Sequence, residues 1–210
     1  MPRFTVSFTC EVKMKRVIPI ALVALAVSIP VLAQGRRPAP PAAPLEPGAS
    51  QADVDKALLP LPENMRNQTM VIKWKPDFTY DTLRKGTNGL VCYDRSGFPL
   101  MQPFAVECTA VGNLPREAQN LKAEATGDRA KSEAMLKQLE QEGKREKPEY
   151  GSIWYHMSGA DKDHVSAHEV TIAVPGATAA SLNIPDKRRE NGIWLMDGGT
   201  STAHIMIPGR

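Results

Sequence analysis

The chain has 210 residues, 26 Lys+Arg against 23 Asp+Glu, and a formal net charge of +3 at pH 7. Four of the bases, Arg3, Lys13, Lys15 and Arg16, lie in the first 33 residues against the single acid Glu11, which leaves 22 bases and 22 acids from Gln34 onward. A formally neutral body lacks the basic footprint of a nucleic-acid surface and the net field that would steer a charged partner from a distance.

The N-terminal segment has the three parts of a secretory signal peptide. Lys15 and Arg16 precede an apolar run, Val17 to Ile29, and Val31-Leu32-Ala33 then sets modest or small residues before Gln34. Residues 1–33 are read as this leader, cleaved after Ala33, with no Cys behind the cut to carry a lipid. Pro19 and Pro30 interrupt a run that is already short for a membrane span, so no stable anchor is expected after cleavage. Met14 is the more natural start, which makes residues 1–13 an over-extension and leaves Cys10 without meaning. The expected address is periplasmic or extracellular.

Residues 34–49 are Pro/Ala-rich and predict an extended, polyproline II-like linker. A single domain is expected over residues 50–210. Ser50, three residues before Asp53, predicts the cap of a short helix, Gln51 to Leu58, ended by Pro60 and Pro62. Thr69 to Lys75 alternates as a strand does, with Met70, Ile72 and Trp74 on one face. Phe78 to Leu83 is a second strand. Asn88-Gly89 predicts a hairpin turn into a third, Leu90 to Tyr93, and Arg95-Ser96-Gly97 turns again.

Pro115 to Gly143 is helical, divided at Gly127, with Asp128 as the cap of the second half. Glu133 with Lys137 and Glu140 with Lys144 have the spacing of helical ion pairs on a solvated face. Strands return at Ser152 to Met157, Glu169 to Val174, Gly192 to Met196 and Ala203 to Ile207. A helical turn is expected over Ala177 to Leu182, and a tight Gly198-Gly199 turn joins the last two strands. The fold class is α+β: a mixed or antiparallel sheet with one or two helices packed on one face.

Once the leader is removed, two cysteines remain, Cys92 and Cys108. An even count in an exported chain predicts a disulfide between them, and two Cys alone do not make a structural zinc site.

Several stretches carry a resemblance. They are Leu83-Arg84-Lys85-Gly86-Thr87-Asn88-Gly89-Leu90-Val91-Cys92 with the second Cys108, Tyr155-His156-Met157-Ser158, and His168 before a strand ending at Pro175-Gly176. Trp194 to Thr200 and Ala203-His204-Ile205-Met206-Ile207-Pro208 close the set. Over about Leu83 to Pro208 the chain resembles a family of uncharacterised secreted bacterial proteins, from which the segment Asp161 to Ser166 departs. The resemblance implies secretion and the paired cysteines, and it implies no activity.

Candidate chemistry is sparse. Ser158 and Ser201 are not flanked as a nucleophile elbow requires. Asp161, Asp163 and Asp197 sit in turn chemistry. His164 and His168 are four residues apart, but a strand would separate them by about 13 Å, too far for one ion. His156, His168 and His204 fall on three different strands, and a sheet that brought them together, with methionines nearby, would suit copper or zinc. The leading expectation is an exported accessory or binding domain, non-enzymatic and without a cofactor. Its partner is an unknown ligand or envelope protein. The alternative is a His/Met metal-binding protein or small metallohydrolase of the cell envelope.

Overall fold

The computed structural model describes residues 40–188 and 192–208. The expected signal peptide, the cut after Ala33 and residues 34–39 of the linker lie outside them.

An eight-stranded mixed sheet organises the chain, and the fold is α+β. In chain order the elements are α1 (Gln51–Ala57), α2 (Glu63–Arg66), β1 (Met70–Trp74), β2 (Tyr80–Arg84), β3 (Leu90–Asp94), β4 (Phe104–Ala110), α3 (Leu114–Glu124), α4 (Arg129–Gln141), β5 (Ile153–Gly159), β6 (Val165–Ala173), α5 (Ala179–Leu182), β7 (Trp194–Met196) and β8 (His204–Pro208). Across the sheet the order is β2-β1-β3-β4-β5-β6-β8-β7. Only β1 and β3 run parallel; every other neighbouring pair is antiparallel.

Local chemistry sets the helix starts. The Ser50 hydroxyl accepts from the Asp53 amide at α1, the Asp128 carboxylate accepts from the Lys131 amide at α4, and Thr178 with Ser181 forms a reciprocal capping box at α5. The expected α4 ion pairs do not form. Lys144 meets Glu142 at 2.8 Å, and Glu140 accepts instead from the Ser201 hydroxyl at 2.5 Å.

Register divides the sheet into two differently filled faces. On one, Val71, Cys92, Cys108, Tyr155, Val170 and Ile207 lie side by side across six strands. Helix α1 covers the β3–β4 part of that face with Val54, Ala57, Leu58 and Leu61. At the far side Ala179 and Leu182 of α5 pack on Leu195, Val174 and Ile205. On the other face α3 sets Leu114 and Leu121 against Ile72, Trp74, Val91 and Tyr93, and α4 packs on α3.

The Asn88-Gly89 turn does not close a hairpin. Strand β1 lies between β2 and β3, so the chain leaving Arg84 must cross the entrance to β1. The Asn88 side chain fixes this crossing: its oxygen accepts from the Leu90 amide at 3.0 Å and its nitrogen donates to Thr69 Oγ1 at 2.8 Å. Gly86 passes so close to the backbone of Thr69 and Met70 that a Cβ there would overlap it.

Packed chain also begins before residue 50. Leu45 bridges to Arg84, the Glu46 amide donates to the Leu83 carbonyl at 2.9 Å, and Leu45 and Ala49 pack against the α1 core. The end of the proline-rich segment thus covers the outer edge of β2, an edge that would otherwise offer open amides and carbonyls.

Cys92 and Cys108 face each other across β3 and β4 and are joined, with Cα atoms 4.0 Å apart. Sixteen residues separate them in sequence, and closing a loop of that size stabilises by about 3 kcal/mol in the chain-entropy model. The double variant Cys92→Ala/Cys108→Ala is therefore expected to lose about 3 kcal/mol in urea unfolding. Reductant is expected to lower the unfolding midpoint of the natural chain and leave that of the double variant unchanged.

Candidate functional site

Two regions stand out, one ionic and one apolar, on opposite faces of the sheet. The ionic one centres on Glu107, in the middle of β4 and 6% exposed. Strand pairing sets Tyr93 and His156 on either side of it, and Glu169 beyond His156. Arg95, 3% exposed, donates from Nη1 to both Glu107 oxygens at 3.2 and 3.3 Å, and from Nη2 to Glu124. His156 Nδ1 lies 3.0 Å from Glu107 Oε1. Above them Glu117, also buried, accepts from Trp154 Nε1 at 3.0 Å and from Asn120 at 3.2 Å. The α3 face turned to the sheet therefore carries Leu114, Glu117, Leu121 and Glu124 at helical spacing, with two carboxylates in an otherwise apolar stripe.

One guanidinium is bonded to two carboxylates, with Glu117 nearby as a third, and the titration behaviour follows. Burial pushes Glu107 up, but Arg95 and His156 outweigh it and hold the carboxyl well below its ordinary range. Burial and repulsion from Glu107 raise Glu117, and burial raises Glu124. Burial alone would lower His156; its hydrogen bond to Glu107 and the Glu107 and Glu169 charges raise it. Burial, with Glu117 and Glu107 nearby, also lifts Tyr93, whose hydroxyl has no hydrogen-bond partner among the described residues.

A histidine held by a buried carboxylate is the orienting half of a general base. The imidazole of His156 is turned by this bond, with Nδ1 on Glu107. Through these ion pairs and hydrogen bonds the cluster joins β3, β4, β5 and α3.

Sequence reasoning missed this network. Arg95 reads as part of a turn, and Glu117 and Glu124 read as ordinary helix charges. One signal was available, a single Glu inside the run Phe104-Ala105-Val106-Glu107-Cys108, because a carboxylate in a buried strand requires a cationic partner.

The three candidate histidines are not brought together. His156 pairs with Glu169 and lies on the α3 face; His168 pairs with Met157 and lies on the α1 face. His204 shares the His156 face but pairs with Ala173, four residues along β6 from Glu169, or about 13 Å away. Alternation along β5 and β6 causes this, since positions 156 and 168 stand one register step apart in their strands. His164 lies in the exposed turn before β6, its Nδ1 held at 2.9 Å by Asp161. Among the described residues no three His, Cys, Asp or Glu side chains are grouped to hold an ion.

The apolar region is a strip on the α1 face over β5, β6 and β8. Its rows are Ile153–Ile172–Ile205, Tyr155–Val170–Ile207 and Met157–His168. All eight side chains are half-buried. They lie between α1, which packs over β3 and β4, and α5, which packs over β7 and β8. At the Ile153–Tyr155 end the strip opens into a groove of about 460 Å³ lined by Met65, Leu90, Ala110 and Tyr150. Tyr150 is 72% exposed at its mouth.

Comparison with known proteins finds no family model, no curated protein and no solved structure that matches the chain. Among the described residues no helix is long and apolar enough to cross a membrane.

Two outcomes test the ionic cluster. Arg95→Met removes the guanidinium from buried Glu107 and half-buried Glu124, leaving Glu107 with His156 alone, and is expected to cost about 3 kcal/mol in urea unfolding. The second concerns pH. Because the folded state raises His156, its contribution is fully present below its unfolded value of 6.5 and is lost as pH rises through the folded value. The stability difference between the natural chain and His156→Gln, followed by thermal unfolding from pH 5.5 to 9, should therefore shrink as pH rises.

Proposed function

We propose that this chain is an exported accessory domain, released to the periplasm or the cell exterior by cleavage after Ala33, that binds a partner through the apolar strip and performs no catalysis of its own. The observation that carries this reading is the strip itself. Seven apolar side chains on three adjacent strands lie between two helices that cover the rest of the same face. These side chains form one contiguous, half-buried apolar surface, flanked by α1 where Tyr155 packs and by α5 where Ile205 packs, and contiguous apolar surface favours an interaction site. The disulfide fits an oxidising compartment. The resemblance to uncharacterised secreted bacterial proteins supports the same address.

The alternative is a copper or zinc protein using His156, His168 or His204. Its best local support is His168 directly opposite Met157, a nitrogen and a thioether on one face.

Three measurements separate these readings. The mass of the product recovered from the producing cell should begin at Gln34. The native protein should bind anilinonaphthalene sulfonate, and the variant Val170→Thr/Ile172→Thr should lose at least half of that signal while unfolding within a few degrees of the natural chain. A folded protein that binds no dye would overturn the binding reading. Elemental analysis finding a stoichiometric metal that is lost in His168→Ala or His204→Ala would establish the alternative.

A further inference from the structure

We infer that the occupant of the apolar strip is a single amphipathic helix of about three turns, presented by another protein and laid on β5 and β6 between α1 and α5. The inference deepens the binding reading above and rests on it.

Width is the first argument. Helix α1 lies over β3 and β4 and α5 over β8 and β7, about four strand spacings apart, or about 19 Å at the usual distance between neighbouring strands. Packed helices stand 8–10 Å from one another, so two such distances span about 16–20 Å. One helix seated on β5–β6 would touch α1 on one side and α5 on the other. A second helix would not fit, and an extended strand would leave the flanks open.

Area is the second. The strip is three strands wide and about five residues long, or roughly 14 Å by 16 Å. A patch of that size is far below the roughly 800 Å² per partner that a stable dimer of this chain would need, and suits a small, transient contact. A second copy of this chain, sheet against sheet, would also find α1 standing in the way. The length matches three helical turns, about 16 Å.

Chemistry is the third. The rows Ile153–Ile172–Ile205 and Tyr155–Val170–Ile207 hold no formal charge, and His168 stands at the Met157 end. A helix with Leu, Ile or Phe at i, i+3, i+4, i+7 would bury that stripe and keep its polar side in water, as helix-in-groove recognition does. The groove beside Met65, Leu90 and Tyr150 would receive one large side chain from the end of the helix.

The test uses the mature chain, isotopically labelled, and two capped 14-residue peptides. One places Leu on one helical face and alternating Glu and Lys on the other. The second has the same composition with the leucines scattered. The amphipathic peptide should displace the dye and move the amide resonances of residues 153–157, 168–172 and 205–207. Binding should be at least tenfold weaker to Val170→Lys, and the scrambled peptide should do neither. If the dye binds but the amphipathic peptide moves nothing, the surface stands and the helix is wrong. Equal binding of both peptides, or dye displacement by a decyl chain alone at lower concentration, would likewise overturn the helix in favour of unspecific apolar or lipid binding. A chain that self-associates through the strip in sedimentation would overturn it in favour of a second copy. If neither dye nor peptide binds, the binding reading itself fails.

Discussion

Glu107 has no escape from its position. Its strand is the fourth of eight, its neighbours on both sides are paired, and the α3 face above it is closed by Leu121, Glu117 and Glu124. A carboxylate there either finds positive charge or is protonated. Arg95 and His156 supply it, and their positions explain much of the surrounding architecture. Arg95 must leave the end of β3 and turn back under α3. His156 must stand opposite Glu107 in β5. Trp154, two residues earlier on the same face, then lies where its indole donates to Glu117. Register across three strands and the placement of one helix are thus tied to one buried charge. Such networks are poor sources of net stability but strong sources of specificity when every alternative register leaves a charge unpaired. In this sheet a one-residue slip of β5 would turn His156 to the opposite face and bring Tyr155 or Met157 against the carboxylate.

The two faces divide the work. The α3 face is held by directional contacts, ion pairs and hydrogen bonds. The α1 face is held by apolar packing and by the Cys92–Cys108 bridge. That bridge crosses the same strand pair that carries Tyr93 and Glu107 on its other side, so β3 and β4 are fixed from both directions. Neither device reaches β5, β6 and β8 on the α1 side. Those strands are held by the sheet ladder and by α5 at one end, and their apolar rows are left half-open.

Much of this was legible in the chain. The Asp128 and Ser50 caps, the division of the helical region at Gly127, the cysteine pair, the helical turn expected over Ala177 to Leu182 (observed as Ala179–Leu182) and the last hairpin rest on short-range chemistry, and all are present. What was not legible is long-range. Asn88-Gly89 has the composition of a hairpin turn, but the chain there crosses β1, and no local signal says which strand lies next door. Strand β4 carries no alternation because both of its faces are buried, so Phe104–Ala110 gives no period to detect. Leu45 sits among prolines that predict a free linker, and it docks because an edge strand elsewhere needs covering. The histidines fail for the same reason. Their placement on three different strands holds, but whether their faces coincide depends on register between strands, which a single sequence does not state.

A half-buried apolar strip is compatible with a well-folded chain only if the fold does not depend on covering it further. Here the disulfide stabilises the inner strands and the Arg95–Glu107–His156 set fixes their register, without any contribution from the strip. The crosslink acts on the unfolded chain, so it stabilises equally whether the strip is occupied or empty. The outer strands keep their order through backbone pairing, which is indifferent to what lies above the side chains. On the binding reading proposed above, a domain built this way would fold before it met a partner and would gain from the meeting only the burial of Ile153, Tyr155, Val170, Ile172, Ile205 and Ile207. Binding of that kind is weak per contact and needs no rearrangement of the sheet.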